Sequence, residues 1–495
     1  MNILHVISDQ HQAACMGCED HPQAITPHMD RLAAAGVRFS RAYTQSPICT
    51  PSRVSILSGQ YVHNHGYYGL SGPTPANLPT FMGQLRRSGY RTAALGKLHL
   101  PDEPTCWLAP DVDLLGEYMG RHPFNPYFQW ARAEGFFDQL DQARIPDLPG
   151  VQQHEARPST LSFEQSIEGF SVSQACRFID GCGDEPWATQ VSFFRPHQCY
   201  TPAQRFWDLY DDDLDPPPGL LDDAAYRPPH FRAMVEQYRS GQGQYEPRDF
   251  ESWARRVWRG YLAAITHCDH ALGVLLDHLD QRGLADRTIV VYHSDHGAYS
   301  GTFGVPEKAP GICSDAVCRV PMLWRVPGLT PAGHVCDQLV ENIDLAPTFQ
   351  ALAGLDPMGT EDGHDLGPLL AGGDEPVRDV AVTENAWSKA IRWDRWRMTH
   401  YQPQMFDQPH GELYDLQADP HERRNLFTSP DQRDVVERGR ALLLQWLIGT
   451  TRARTLMMAE RDGDPNPTQM LAGDGKRHND FDAAEAHRRG TLNYL

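Results

Sequence analysis

Thr288-Ile289-Val290-Val291-Tyr292, running straight into His293-Ser294-Asp295-His296-Gly297, is the stretch that decides the fold. TIVVY has the β-branched and aromatic content of a buried strand, and it ends on a carboxylate and an imidazole. The segment before it, Phe250–Arg282, places Trp253, Val257, Tyr261, Ile265, Leu272, Leu275, Leu276 and Leu279 on one helical face. The N-terminus repeats the plan. Residues 3–8, ILHVIS, read as a buried strand and end on Asp9-Gln10. Thr26-Pro27 then opens a helix that Gly36 closes, as N-cap and C′ chemistry require. Further along, the pattern predicts a strand at Val37–Ala42 and helices at Pro51–Val62 and Leu78–Ser88. A strand at Tyr90–Leu95 follows, ending in Gly96-Lys97-Leu98-His99, then a helix at Leu161–Ile179 and a strand at Trp187–Phe194. Alternation of this kind predicts an α/β sheet with helices on both faces, whose sites lie at the C-terminal ends of the strands.

Two stretches break the pattern. Residues 101–160 and 200–247 are rich in Pro, Asp and aromatic residues and read as irregular insertions that wall a pocket. From about 380 the chain turns to short strands ending in Glu412–Leu416, followed by a helix at 430–447 and a polar tail. The expected division is a catalytic α/β domain at 1–375, a smaller α+β domain at 376–450 and a tail at 451–495. The apolar end of that tail, Gly490–Leu495, suits docking on another subunit, so a homodimer or homotetramer is expected.

Charge and composition exclude some partners. The 44 Lys and Arg against 64 Asp and Glu leave a net charge of −20, which repels nucleic acid and anionic membrane surfaces. No window approaches the ~18 apolar residues of a membrane span, and Met1-Asn2-Ile3-Leu4-His5 lacks the basic and apolar regions of a secretory signal. Eleven cysteines show no regular framework, and Cys15-x-x-Cys18 has no second pair to complete a zinc site. These features lead to the expectation of a cytoplasmic protein with reduced thiols.

The strand ends carry the chemistry. Asp9, Gln10, Asp295 and His296 together offer two carboxylates, an amide and an imidazole to a divalent cation. Oxygen-rich ligation suits Ca²⁺, Mg²⁺ or Mn²⁺, and the imidazole moves the balance toward Mn²⁺. In Cys49-Thr50-Pro51-Ser52-Arg53, Pro51 marks a helix first turn, so the helix N-terminus favours an anion at Cys49, with Arg53 adding fixed positive charge.

These residues resemble the type I sulfatases, formylglycine-dependent members of the alkaline phosphatase superfamily. Cys49-x-Pro-x-Arg53 followed by Leu57-Ser58-Gly59 resembles their hallmark, and Thr26-Pro27-His28-Met29-Asp30-Arg31-Leu32 with Gly36 and Phe39 resembles their "TPNLDRLAxxGxxF" stretch. Gly96–His99 is similar to "GKWH", and Pro196-His197 to "PHxPY", with Cys199 at the second proline. Ser294–Gly297 is similar to "SDHG", and Lys308 to the lysine before "RVP", here Arg319-Val320-Pro321. Asp344–Thr348 and Glu412–Leu416 fit later motifs, so the likeness runs from residue 3 to about 426. Gln10 and His296 depart from the commoner Asp and Asn, and resemble the metal sites of choline sulfatases and phosphonate monoester hydrolases. The Gly-Lys-x-His segment, usually absent from the monoester hydrolases, favours a sulfatase.

The resemblance implies a large mixed, mostly parallel sheet sandwiched by helices, of alkaline phosphatase type, with a smaller C-terminal α+β domain. It also implies hydrolysis of a small sulfate monoester to an alcohol and inorganic sulfate. Cys49 would be converted to formylglycine by a maturation enzyme, and its hydrate would be the nucleophile and a metal ligand. Asp9, Gln10, Asp295 and His296 would hold one divalent cation, with calcium expected ahead of manganese. Arg53, Lys97 and Lys308 would stabilise charge, His197 with Lys308 would serve the leaving oxygen, and His99 would act as base. His63 and His65 are second-rank substrate contacts, chosen for their closeness to Cys49 in the chain. The alternatives are a phosphonate monoester or phosphodiester hydrolase with the same nucleophile, or a catalytically silent binding protein of the same fold.

Overall fold

The computed structural model describes residues 1–70, 78–101, 107–118, 125–140, 156–220, 222, 227–240, 249–308, 313–403 and 410–452. The chain divides into two compact units, Met1–Leu443 and Leu444–Leu495. Both sheets described below lie in the first. From residue 453 onward the tail expected to form an oligomer contact lies outside the described residues.

The strands are β1 (Asn2–Ser8), β2 (Val37–Phe39), β3 (Ala42–Tyr43), β4 (Arg91–Gly96), β5 (Leu114–Glu117), β6 (Trp187–Ser192) and β7 (Thr288–Ser294). They continue with β8 (Met322–Arg325), β9 (His334–Cys336), β10 (Val340–Glu341), β11 (Ala381–Glu384), β12 (Ser388–Trp393), β13 (Trp396–Tyr401) and β14 (Gly411–Asp415). The main sheet has eight strands in the order β5-β4-β6-β1-β7-β8-β2-β9. All its pairings are parallel except those of β8, which runs antiparallel to β7 and β2. The sheet is therefore mixed and mostly parallel, as expected.

ILHVIS and TIVVY are the two central strands, and their side chains alternate between two cores. Leu4, Val6, Val290 and Tyr292 enter one cluster with Leu272, Leu275 and Leu279 of the long helix. Ile3, Ile289 and Val291 enter the other with Val54, Leu57, Leu345 and Phe349. Burial on both faces explains why these strands read as continuous apolar runs. Helices α1 (Pro27–Ala34), α2 (Cys49–Ser58), α3 (Phe81–Arg87), α4 (Ile167–Cys182), α5 (Phe250–Gln281) and α6 (Leu345–Leu352) cover the sheet. In α5, capped by Asp249 accepting from the Ser252 N–H at 3.3 Å, the 32 residues bury the stripe read from the sequence except for Trp253, which is only partly buried.

Several boundaries differ from expectation. Helix α2 ends at Ser58 rather than Val62, because Gly59 adopts φ 69° and donates its N–H to Ser55 O; Val62–His65 is a separate turn of helix. Helix α4 begins at Ile167 rather than Leu161, where the Ser166 side chain accepts from the Gly169 N–H. The insertions are not wholly irregular. Residues 101–160 supply edge strand β5 and a helix at Pro126–Ala133 capped by Asn125, and residues 200–247 supply a helix at Pro229–Arg239. Several of their aromatic residues join the core: Tyr127 is buried, and Trp130 stacks on Phe170 with centroids 5.0 Å apart.

Strands β11 to β14 form the smaller antiparallel sheet, followed in sequence by α7 (Arg433–Thr450). Gly439 of α7 lies so close to the sheet that a Cβ there would meet Met398 Cε at 2.5 Å. Among the described residues no helix is long and apolar enough to cross a membrane.

Candidate active site

Strand register assembles the site. Ser8 pairs with Ser294, Ile7 with Ser192, and Ser192 with Gly96, so β4, β6, β1 and β7 end side by side. The residues just past those ends, Lys97, Asp9 and Asp295, are thereby neighbours although nearly 300 positions separate the first strand from the last. The first turn of α2 lies across them. Ser52 Oγ donates to Asp295 O at 2.7 Å, and Asn342 Nδ2 donates to Ser294 O at 3.0 Å.

Arg53, 2% exposed, locks the arrangement. Its Nε donates to Asp295 Oδ2 at 2.8 Å and one terminal nitrogen donates to Asp9 Oδ2 at 3.2 Å. The other donates to Lys97 O at 2.5 Å and Ser192 Oγ at 2.8 Å. Lys97 Nζ also pairs with Asp9 Oδ2. Burial alone would raise the Asp9 carboxyl, but Lys97, His197, Arg53 and His296 outweigh it and hold Asp9 well below the usual carboxylate range.

What remains unpartnered marks a candidate cation position. Asp9 Oδ1, Gln10 Oε1 and His296 Nε2 are buried without a hydrogen-bond partner, a costly state unless something fills the space between them. His296 Nδ1 lies 2.7 Å from Gly297 O, so that nitrogen carries the proton and Nε2 presents a lone pair. Ligand atoms of Asp9, Cys49 and His296 lie within 4.8 Å of one another. Asp295 Oδ1 accepts from the Gln10 N–H at 3.2 Å and the His296 N–H at 2.8 Å, which ties the two ligand pairs together. Carboxylate, amide oxygen and imidazole fit a divalent cation that favours oxygen.

Beside the cation position is an electropositive pocket at Cys49, the first residue of α2. Burial would raise its thiol, yet His99, Lys308 and Lys97 more than offset that and draw it well below the ordinary value. Lys97 is fully buried, with Nζ 5.2 Å from the Phe194 ring centroid. His99 sits in a left-handed turn at φ 48°, fixed because the Leu98 and His99 N–H groups both donate to Glu117 Oε2 at 2.8 Å. His197 is held well below its usual value by burial and by Lys97, while Lys308 is held charged because Cys49 and Glu307 outweigh its burial.

The geometry thus brings together Asp9, Gln10, Cys49, Arg53, Lys97, His99, His197, Asp295, His296 and Lys308. His63 and His65 are engaged elsewhere, in the fold itself. His65 Nε2 lies 2.9 Å from Ser55 Oγ and its Nδ1 accepts from the Tyr67 N–H at 3.1 Å. His63 Nδ1 meets Glu384 Oε1 at 2.8 Å. Sequence reasoning missed Glu117, Ser192, Gln198, Glu307 and Asn342. Gln198 and Glu307 adjoin His197 and Lys308, which is the one signal that could have found them.

Residues 1–355 match the family described as Sulfatase, and residues 312–446 match N-sulphoglucosamine sulphohydrolase, C-terminal. A choline-sulfatase of Rhizobium meliloti (strain 1021) is 29% identical over 453 residues, covering 87% of this chain and 83% of its own. An N-acetylglucosamine-6-O-sulfatase of Bacteroides thetaiotaomicron is 25% identical, covering 96% of this chain and 89% of its own. In fold, the chain is similar to the phosphonate monoester hydrolase of Silicibacter pomeroyi, with a TM-score of 0.77 at 24% identity over 91% of this chain and 96% of that one. The match across the whole catalytic sheet, from β1 through α6, makes this chain a member of the sulfatase family.

Proposed function

We propose that this protein hydrolyses a small sulfate monoester to an alcohol and inorganic sulfate, with Cys49 as formylglycine and one divalent cation, calcium ahead of manganese. The observation that carries the reading is the junction of two features. Unpartnered ligand atoms on Asp9 and His296 lie within 4.8 Å of a Cys49 position made electropositive by His99, Lys308 and Lys97, and Gln10 Oε1 is unpartnered as well. Formylglycine would supply a hydrate oxygen to attack sulfur, and the cation would supply Lewis-acid polarisation of a sulfate oxygen.

The protein's own groups do the rest. Arg53 has every nitrogen committed to Asp9, Asp295, Ser192 or the Lys97 carbonyl, so it acts by holding both carboxylates and contributing fixed charge under residue 49. Lys97 and Lys308 stabilise negative charge on the sulfate oxygens. His197 Nδ1 lies 2.5 Å from Gln198 O and carries its proton there, so a neutral ring turns an accepting Nε2 outward. The leaving oxygen is therefore met by the charged Lys308. His99, whose Nδ1 is buried without a hydrogen-bond partner, is placed to accept a proton from residue 49. Because Cys49 to Arg53 are all buried, a maturation enzyme would have to meet this segment before the chain folds.

A second reading, hydrolysis of phosphonate monoesters or phosphodiesters, draws on Gln10 and His296. It also draws on a 26% identical relative, the multifunctional alkaline phosphatase superfamily protein PehA of Trinickia caryophylli. Paired aryl sulfate and aryl phosphonate kinetics separate the two. A phosphonate kcat/KM larger by about tenfold, equivalent to about 1.4 kcal/mol of transition-state binding, would overturn the sulfatase assignment. Mass spectrometry of the Cys49 peptide from the natural host tests the silent alternative, which requires an unmodified thiol. Choline, aryl and sugar sulfates are the first panel. The chain's relatives include a choline-sulfatase, and a similar fold has been solved with D-glucosamine-2-N,6-O-disulfate.

A further inference from the structure

A glutamine ligand poses a problem that an aspartate ligand does not. Its amide has an accepting end and a donating end of nearly equal size, and only the oxygen can bind a cation. At Gln10 the backbone is pinned. The N–H donates to Asp295 Oδ1 at 3.2 Å, the carbonyl accepts from Tyr261 Oη at 2.7 Å, and φ is 69°. The remaining freedom is the flip of the side-chain amide.

That flip is governed by a chain of two hydrogen bonds, the first of them buried. Gln10 Nε2 donates to Gln198 Oε1 at 2.9 Å, and Gln198 Nε2 donates to Glu307 Oε2 at 2.7 Å. A carboxylate only accepts, so Glu307 obliges Gln198 to turn its NH₂ outward. Gln198 must then offer oxygen to Gln10, and Gln10 must answer with its NH₂. Gln10 Oε1 is left without a hydrogen-bond partner, as are Asp9 Oδ1 and His296 Nε2.

We infer that Gln198 and Glu307 are positioning residues that set the polarity of a Glu307–Gln198–Gln10 relay and so select Gln10 Oε1 as the atom presented to the divalent cation. The inference rests on the cation site proposed above. Gln198 follows His197 and Glu307 precedes Lys308, so the same relay ties the cation ligand to both segments that serve the leaving oxygen.

The test uses the full-length, matured protein, stripped of cation by a chelator and titrated with Ca²⁺ and then Mn²⁺ by calorimetry, with melting of the cation-free protein as a second readout. Gln198→Leu should weaken Ca²⁺ binding by about tenfold or more, in the range of lost outer-shell partners. The sharper arm reverses the relay. Gln10→Glu places carboxylates at both ends of Gln198, whose single NH₂ can serve one of them. Adding Glu307→Gln to Gln10→Glu should therefore tighten Ca²⁺ binding and raise the cation-free melting temperature. In the native background, the same Glu307→Gln change should weaken binding. Simple loss of negative charge near a cation would weaken binding in both backgrounds, so the opposite signs isolate the relay. If Gln198→Leu fails to fold, this second arm still decides. The relay is overturned if Glu307→Gln weakens binding equally in both backgrounds, or if a folded Gln198→Leu binds Ca²⁺ like the native protein. If the native protein binds neither Ca²⁺ nor Mn²⁺, the relay falls together with the cation-dependent function.

Discussion

Glu384 gives the most quantitative forecast. It ends β11, donates its N–H to Gln45 O at 2.8 Å, and accepts through Oε1 from the His63 N–H at 2.9 Å, with His63 Nδ1 at 2.8 Å. Its other oxygen pairs with Lys389. One carboxylate thus ties the C-terminal sheet to the turn that follows α2. Burial would raise it, but the His63 hydrogen bond and the Lys389 charge prevail and hold it at about 2, against an ordinary 4.5. A carboxyl depressed by folding stabilises the native state above its unfolded value, and that stabilisation disappears as pH falls through the folded value. At 1.36 kcal/mol per pH unit, Glu384 contributes about 3 kcal/mol at pH 7 and about half of that at pH 3. Glu384→Gln should therefore be destabilised by about 3 kcal/mol at neutral pH, and the gap from the native protein should narrow by roughly half at pH 3. Urea unfolding of both proteins at the two pH values, followed by fluorescence, measures the gap. A gap of equal size at both values, or none at pH 7, would refute the assignment and return His63 to the list of substrate contacts.

Arg53→Lys keeps one charge but cannot reach Asp9, Asp295, Ser192 and the Lys97 carbonyl together. Stability should fall by about 3–5 kcal/mol, the usual cost of breaking a buried ion pair, and an unchanged calorimetric melting point would contradict this. Cys49→Ala should lower sulfate-ester turnover by a factor of about 10³ or more with the fold intact by circular dichroism; residual activity near the native level would remove Cys49 from the chemistry. Glu117→Ala releases the two N–H groups that hold the His99 turn and should cost about 10² in kcat with little change in KM. Glu117→Gln, whose oxygen can still accept both, should restore most of the loss. Returning a divalent cation to chelator-treated protein at a hundred times its dissociation constant should add about 2.7 kcal/mol of stability, visible as a concentration-dependent melting temperature.

The strands that build the site were legible because ILHVIS and TIVVY are buried on both faces, which forces continuous apolar runs, and because their polar endings stand out against them. Asp9, Gln10, Asp295 and His296 stood out for the same reason, as the polar endings of those strands. Edge strand β5 was not, since Leu114 and Leu115 are partly exposed and Leu114-Leu115-Gly116-Glu117 has no strand signature of its own. Gln198 and Glu307 carry no signal beyond standing next to His197 and Lys308. Gln10 and Gln198 are 188 positions apart and Gln198 and Glu307 are 109 apart, so only the folded sheet discloses the relay. At His63 and His65, closeness to Cys49 in the chain suggested closeness in function. Ser55, Tyr67 and Glu384 already engage those rings.

The charge of the site also differs from what a count of basic residues suggests. Arg53, Lys97 and Lys308 gather where the substrate would bind, but Asp9 and Asp295 are bonded to Arg53, and Glu307 adjoins Lys308. Three cations against three carboxylates cancel in formal charge across this inner group, while Lys97 and Lys308 converge on Cys49. The residues therefore fix where charge sits without adding net attraction, and a bound divalent cation would bring the excess that holds an anionic ester. Buried charges such as these are screened little, whereas the −20 spread over the surface is damped within about 10 Å of solvent at moderate salt. The surface charge thus acts on approach, where it opposes a highly sulfated polymer along its whole length far more than a small monosulfate. The buried group would act on arrival, with an affinity that would follow occupancy of the candidate cation position.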